Sequence, residues 1–240
     1  MRYKALVSYD GGRYHGFQRQ KNATGIQTLI ERALRLMTQT DIKIQSAGRT
    51  DKGVHALGQV FHFDAEPELD GDTWVRAIND RLPPDIRILD VKPVSDRFHA
   101  RYDAKAKIYR YVIAKQPSTA FTQGYEVYVR NFAIEPVRQA LPMLVGTHDF
   151  KGFSKQVGNK DTTKTIFQAD VKETKKHYVF TFKGNGFLKY MVRSIMGTLI
   201  EIGQGKLDPD VVNDILETQN RSLAGDTAEA KGLFLVKINY

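Results

Sequence analysis

The sequence contains no cysteine. That excludes disulfide scaffolds, thiolate nucleophiles, cysteine-ligated zinc and iron–sulfur clusters. It also lacks a long apolar run. No stretch approaches the roughly 20 residues needed to span a bilayer. The most apolar helix-like segment, 187–202, is interrupted by Lys189, Arg193 and Glu201. Residues 1–10, MRYKALVSYD, hold no apolar stretch of the kind a secretory leader needs, so no leader is expected. There is no low-complexity tract, solenoid period or long linker. No His, Asp and Glu set follows a metal-ligand spacing such as H-E-x-x-H.

What is present points to a folded domain with an anionic partner. The 240 residues suit one large domain or two small ones. Hydrophobic residues make up 41% and charged residues 26%, ordinary proportions for a folded chain. The net charge of +9 comes from 36 basic against 27 acidic residues. An excess of that size favours a polyanion, nucleic acid first. A cysteine-free chain also fits a cytoplasmic location.

Periodicity predicts a mixed order of strands and helices. Strands are expected at 3–9, 42–46, 57–63, 86–92, 105–113, 165–173, 177–183 and 232–238. Helices are expected at 25–38, 72–81, 134–145, 187–202 and 209–218. Thr24 and Gln27 have capping-box spacing at the first helix start. Asp208 and Pro209 read as N-cap and N1 of the last. Pro142 limits the helix at 134–145. Helices spaced among strands, in two comparable halves, argue for an α+β layered fold. The boundary is expected near 104, dividing 1–104 from 105–240.

The most informative segment is AGRTDKGVHA, 47–56. Gly48 and Gly53 bracket Arg49, Thr50 and Asp51, and glycine permits tight turns and close approach of a ligand. Asp51 sits between two cations, Arg49 and Lys52, and nearby positive charge favours an ionised carboxylate. An ionised, positioned aspartate serves as nucleophile or base. Arg49 suits phosphate contact or stacking on a base. Taken alone, the same segment reads more readily as a solvated turn capped by an aspartate.

The wider pattern resembles the TruA family of tRNA pseudouridine synthases. Gly48–Ala56 matches the family loop GRTD-x-GVHA, with Lys52 at the free position, and the likeness continues through Gln59, Val60, His62 and Phe63. Upstream, YDGGRYHGFQRQ (Tyr9–Gln20) is similar to the family's Y-D-G-x-x-Y-x-G-W-Q-R-Q segment. Downstream come FHARYDAKAKIYRY (98–111), GTHDF (146–150), GFLKYMVRSIMG (186–197) and AKGLFLVKINY (230–240). Phe17 stands where the family has Trp, Lys164 where Arg is usual, and 224–232 lacks a family proline.

The resemblance implies a pseudouridine synthase fold, with two mixed α/β halves of largely antiparallel sheet flanking a basic cleft. It implies isomerisation of uridine to pseudouridine at positions 38, 39 and 40 of the tRNA anticodon stem-loop, by a homodimer, without metal or organic cofactor. Asp51 is then the catalytic residue, attacking either the uracil ring or the ribose C1′. Tyr109 packs against the target base, and Arg193 pairs with Asp51. Arg49 touches RNA, and His55 is structural or RNA-contacting. Such chemistry needs a base taken out of the stack.

The residues themselves support parts of this. Along strand 105–113, Lys105, Lys107, Tyr109 and Tyr111 share one side, a face of cations and aromatics that suits a nucleotide better than a core. Arg193 lies at the edge of the apolar stripe of helix 187–202, where it needs a counterion. Gly186 and Gly197 read as close-packing positions. Arg13, Arg19, Lys21, Arg101, Arg110, Lys151, Lys155, Lys160 and Lys164 join Lys105 and Lys107 as RNA-contact candidates. Two other classes compete. One is a non-catalytic RNA-binding protein or chaperone on the same fold. The other is a metal-dependent hydrolase using Asp10, Asp51, His55 or Asp64.

Overall fold

A computed structural model describes residues 1–20, 22–66, 68–155 and 161–240. Lys21 and Lys160 therefore lie outside the described residues. The chain forms two compact units, Met1–Lys105 with Phe234–Tyr240, and Ala106–Leu233. Both mix helices with largely antiparallel sheet, an α+β fold.

In the first unit, β1 (Arg2–Tyr9) is followed by α1 (Ile26–Thr38), β2 (Gln45–Ser46), β3 (His55–Asp64), α2 (Gly71–Asn79) and β4 (Ile86–Val94). β1 alternates strictly, burying Tyr3, Ala5, Val7 and Tyr9. It lies between β3 and β4, antiparallel to both. β3 is buried nearly throughout, which explains its apolar content on both faces. Trp74 of α2 packs against Tyr3 at 5.2 Å and edge-on to Phe63 at 5.1 Å, forming the core of this unit. Asp70 caps α2 by accepting from the Thr73 amide at 2.9 Å.

The second unit contains β5 (Ala106–Ala114), β6 (Val127–Tyr128), α3 (Ile134–Ala140), β7 (Gly146–Asp149), β8 (Thr163–Glu173), β9 (His177–Gly184), α4 (Met191–Gly203) and α5 (Val211–Thr218). β5, β9, β8 and β7 are consecutive antiparallel neighbours. The last strand, β10 (Leu233–Asn239), returns to the first unit, where Phe234 and Leu235 run parallel to His55 and Ala56 of β3.

Several element ends differ from the periodicity. α1 starts on Gly25 with no side-chain cap, so the Thr24–Gln27 capping box does not form. Gln27 is used elsewhere: it accepts from the Arg19 amide and donates to Glu31. The helix expected over 134–145 becomes α3 followed by a 3-10 turn, Leu141–Leu144, because Pro142 has no N–H to continue the α ladder. Asp208 accepts from the Asp210 amide in a turn, and α5 begins only at Val211. α4 begins at Met191 rather than 187, since Tyr190 adopts a left-handed backbone at φ 64°. The 42–46 strand shrinks to Gln45–Ser46.

Candidate active site

The Asp51 loop is tied to the segment that follows β1. The buried Thr50 hydroxyl and the Tyr9 phenol lie 2.8 Å apart in a hydrogen bond. The Phe17 amide donates to the Thr50 carbonyl at 3.2 Å, and the Gly53 amide donates to the Tyr14 carbonyl at 3.3 Å. From β3, the buried Gln59 side chain donates to the Gly48 carbonyl at 2.9 Å. The Val54 amide closes the turn onto the Asp51 carbonyl at 3.1 Å. A side chain on Gly16, at φ +90°, would meet the Thr50 carbonyl oxygen at 2.6 Å, and one on Gly11 would meet the Val54 carbonyl oxygen at 1.9 Å. Two glycines thus let two backbones touch, and the loop gains a rigid floor. Asp51 is left half-buried, with Arg49 and Lys52 exposed on either side. Burial pushes the Tyr9 phenol well above its ordinary value, so it stays a neutral partner for Thr50.

His55 is buried beside this loop. Its ring stacks on Phe234 at 4.8 Å, and Nδ1 lies 3.0 Å from Asp10 Oδ1 and 3.1 Å from the Gly11 amide nitrogen. A ring so enclosed serves to hold the Asp10–Gly11 turn. Asp64, a candidate in the metal-hydrolase reading, is taken by a two-point pairing with Arg2 at 2.7 and 2.8 Å. Arg2 holds the Asp64 carboxyl below its usual range, first through that hydrogen bond. Among the described residues, no three His, Asp or Glu side chains gather as a metal set.

In the second unit, Tyr109 is 8% exposed and lies edge-on to Phe187 at 5.0 Å. Its neighbour on the same face, Tyr111, is 0% exposed, and its phenol donates to the Glu229 carbonyl at 2.9 Å. The expectation of a nucleotide-binding face along all of this strand is therefore corrected. From Tyr111 onward the face is core: Tyr111 and Ile113 are both 0% exposed, and the Glu229–Gly232 segment lies against the Tyr111 ring. Lys107 is half-buried on the Tyr109 side, whereas Arg110 is exposed on the opposite side.

Arg193 is half-buried at the start of α4. Its Nε donates to the Ala228 carbonyl at 2.7 Å, and its guanidinium lies 5.3 Å from the Tyr190 ring centre. The segment Gly225–Ala228 straps across the helix at Gly197, where a Cβ would meet the Asp226 carbonyl oxygen at 1.5 Å. Gly197 is thus a close-packing position. Gly186 is not, since a Cβ there would make only an ordinary 3.5 Å contact with Lys164.

The basic candidates divide. Arg19 pairs with the buried Glu31 at 2.9 Å, which also accepts from Gln27 and the Ile44 amide; this pins α1 and draws Arg19 into local structure. Arg13 lies 3.6 Å from Asp85, and Lys164 lies 3.4 Å from Asp161. Arg101 sits over the exposed Tyr102 ring. Lys105, Lys151 and Lys155 are exposed. Sequence reasoning passed over Tyr190. Its signal is conformational, and no spacing rule reports a positive φ at a tyrosine.

The sequence profile of a family described as tRNA pseudouridine synthase matches residues 5–103 and 140–240. The chain belongs to that family. It is similar to tRNA pseudouridine synthase A of Onion yellows phytoplasma, 41% identical over 99% of this chain and 98% of that one. It is similar to tRNA pseudouridine synthase A 1 of Bacillus cereus, at 43% over 100% and 98%. It is similar to the Streptococcus thermophilus tRNA pseudouridine synthase A, at 42% over 100% and 99%. Among solved structures, a chain of a Cbf5-Nop10-Gar1 complex shares 10% identity over 83% of this chain and 53% of that one, with a TM-score of 0.33. That likeness carries no argument. Membership makes this enzyme an isomerase of uridine in tRNA. Among the described residues, no helix is long and apolar enough to cross a membrane.

Proposed function

We propose that the enzyme converts uridines at positions 38, 39 and 40 of the tRNA anticodon stem-loop to pseudouridine, with the Asp51 carboxylate as nucleophile. The N1–C1′ bond of the target breaks, uracil turns within the site, and a C5–C1′ bond forms. The C5 proton leaves and N1 gains one, so atoms balance and no oxidant or reductant is needed. As the resemblance implies, Tyr109 packs on the target base, and Arg193 acts as counterion to the carboxylate and favours its ionised form. Arg49 and Lys107 contact the RNA. His55 holds the loop from beneath, and Arg110 and Arg19 supply positive field at the surface.

The observation that carries this reading is the binding of the GRTDKGVHA loop by Tyr9, Tyr14, Phe17 and Gln59, which leaves Asp51 half-buried on a fixed backbone. A nucleophile gains from such preorganisation, because little motion remains before attack. A solvated capping turn has no need of it. We further propose that the enzyme works as a homodimer in the cytoplasm, as the resemblance implies. Pseudouridine has the mass of uridine, so the test is carbodiimide-based mapping of unmodified tRNA after incubation with the enzyme. Stops at 38, 39 and 40 are expected. Stops confined to another arm would overturn the site assignment, and none at all would favour a binding protein. Sedimentation of the free enzyme tests the dimer.

A further inference from the structure

Among the described residues, four non-glycine residues have positive φ. Gln39 and Gln219 close α1 and α5 at their C-terminal ends, where a left-handed residue is common. Asn131 is of a type that tolerates the conformation. Tyr190 differs, being a bulky aromatic with φ 64° and ψ 0° at the start of a helix. Such a backbone persists only where its surroundings hold it, and it concentrates at working sites.

Three cations surround the ring that this backbone presents. Lys189 Nζ lies 5.2 Å from the ring centre, Arg193 Cζ 5.3 Å and Lys155 Nζ 5.9 Å. They come from separate stretches of chain, joined where the Lys155 amide donates to the Lys189 carbonyl at 3.4 Å. Lys155 and Lys189 are exposed, and neither pairs with a carboxylate among the described residues. The electron-rich face of the tyrosine offsets part of the repulsion between these two lysines. An anion with several acceptor oxygens would offset the rest. We propose that Lys155 and Lys189, gathered with Arg193 on the Tyr190 ring, bind a backbone phosphodiester of the tRNA. Arg193 sets the place: the phosphodiester belongs to the target uridine or its immediate neighbour. The inference rests on tRNA as substrate and on the proposed position of Arg193, not on the identity of the nucleophile.

The experiment measures the dissociation constant of an unmodified tRNA transcript against salt. It compares wild type, the Lys155→Gln/Lys189→Gln double variant, Tyr190→Leu and Tyr190→Phe, with a thermal melt of each. The double variant should bind about tenfold more weakly at low salt, with a log–log slope shallower by about 0.7–0.9, one phosphate's worth. Tyr190→Leu should weaken binding in the same direction, although it removes no charge. Tyr190→Phe keeps the ring and should stay within about twofold of wild type. An unchanged slope in the double variant, beside a steep wild-type slope, overturns this site and leaves tRNA binding intact. A flat wild-type slope overturns both. If Tyr190→Leu fails to fold, the double variant, confined to exposed residues, decides alone.

Discussion

Arg193 and Ala228 hold each other twice: the Arg193 Nε donates to the Ala228 carbonyl at 2.7 Å, and the Ala228 amide donates to the Arg193 carbonyl at 3.0 Å. The same strap is fixed further along α4, where the Gly225 amide donates to the Thr198 hydroxyl and the Asp226 amide to Glu201. The guanidinium is thereby oriented by backbone that only a glycine at 197 admits. Gly197→Ala should displace the strap, lower stability by about 2–3 kcal/mol and slow turnover more than it weakens tRNA binding. Thermal unfolding with single-turnover rates checks this; a rate equal to wild type would show that the strap does not set the arginine.

Arg193 itself is proposed to favour the ionised form of the Asp51 carboxylate. Removing the cation disfavours that form, so the acid limb of the pH–rate profile should move to higher pH in Arg193→Met. Arg193→Lys should fall between, since it keeps charge but loses the planar fork and the Nε bond to Ala228. The measurement is single-turnover rate against pH for the three proteins. An unmoved acid limb with a uniform loss of affinity would mean that Arg193 serves only the RNA backbone.

The floor of the Asp51 loop gives a third expectation. Tyr9→Phe removes the bond to Thr50 while keeping the buried ring, and should cost about 1 kcal/mol of stability. Gly16→Ala places a methyl group 2.6 Å from the Thr50 carbonyl oxygen at a φ of +90°, and should cost more than Tyr9→Phe. Both should lower the rate constant for isomerisation with little change in tRNA affinity. Denaturant unfolding and single-turnover assays on the pair test the order.

His62 makes stability depend on acidity. Burial, then the charges of Arg2 and His99, push its imidazole down from 6.5 to about 4. Its Nδ1 accepts from the Ala100 amide at 3.1 Å, so the neutral ring is the one the fold needs. Above pH 6.5 neither folded nor unfolded chain binds this proton, and no contribution varies. Between 6.5 and 4 the unfolded chain gains it first, so stability should fall as pH falls, by up to roughly 3–4 kcal/mol, and level off below 4. His62→Asn keeps an acceptor near the Nδ1 position and should flatten that window in denaturant titrations. An identical pH profile would remove His62 from the account.

Much of this was legible in the residues. The strands and helices of the core follow from alternation in β1 and from the apolar stripes of α1 and α4, where burial decides position. The Asp51 loop stood out through its resemblance to a family motif, since alone it reads as a capped turn. What stayed hidden depends on contacts distant in sequence. Arg19 reads only as a surface cation until Glu31, 12 residues on, is seen to pair with it. Tyr111 reads as a partner of Tyr109 until Glu229 is found over its phenol, 118 residues on. The return of β10 to β3 follows from pairing at His55 and Ala56, which no local pattern encodes. Tyr190 delays α4 by several residues through one dihedral angle.

The central claim is that Asp51 carries the chemistry, and Asp51→Asn tests it most directly. The substitution keeps size and most hydrogen bonding and removes the charge. Single-turnover conversion of unmodified tRNA, read by carbodiimide mapping, should be undetectable, while tRNA affinity stays within about tenfold of wild type, or roughly 1.4 kcal/mol. Appreciable pseudouridine formation by Asp51→Asn would contradict the account.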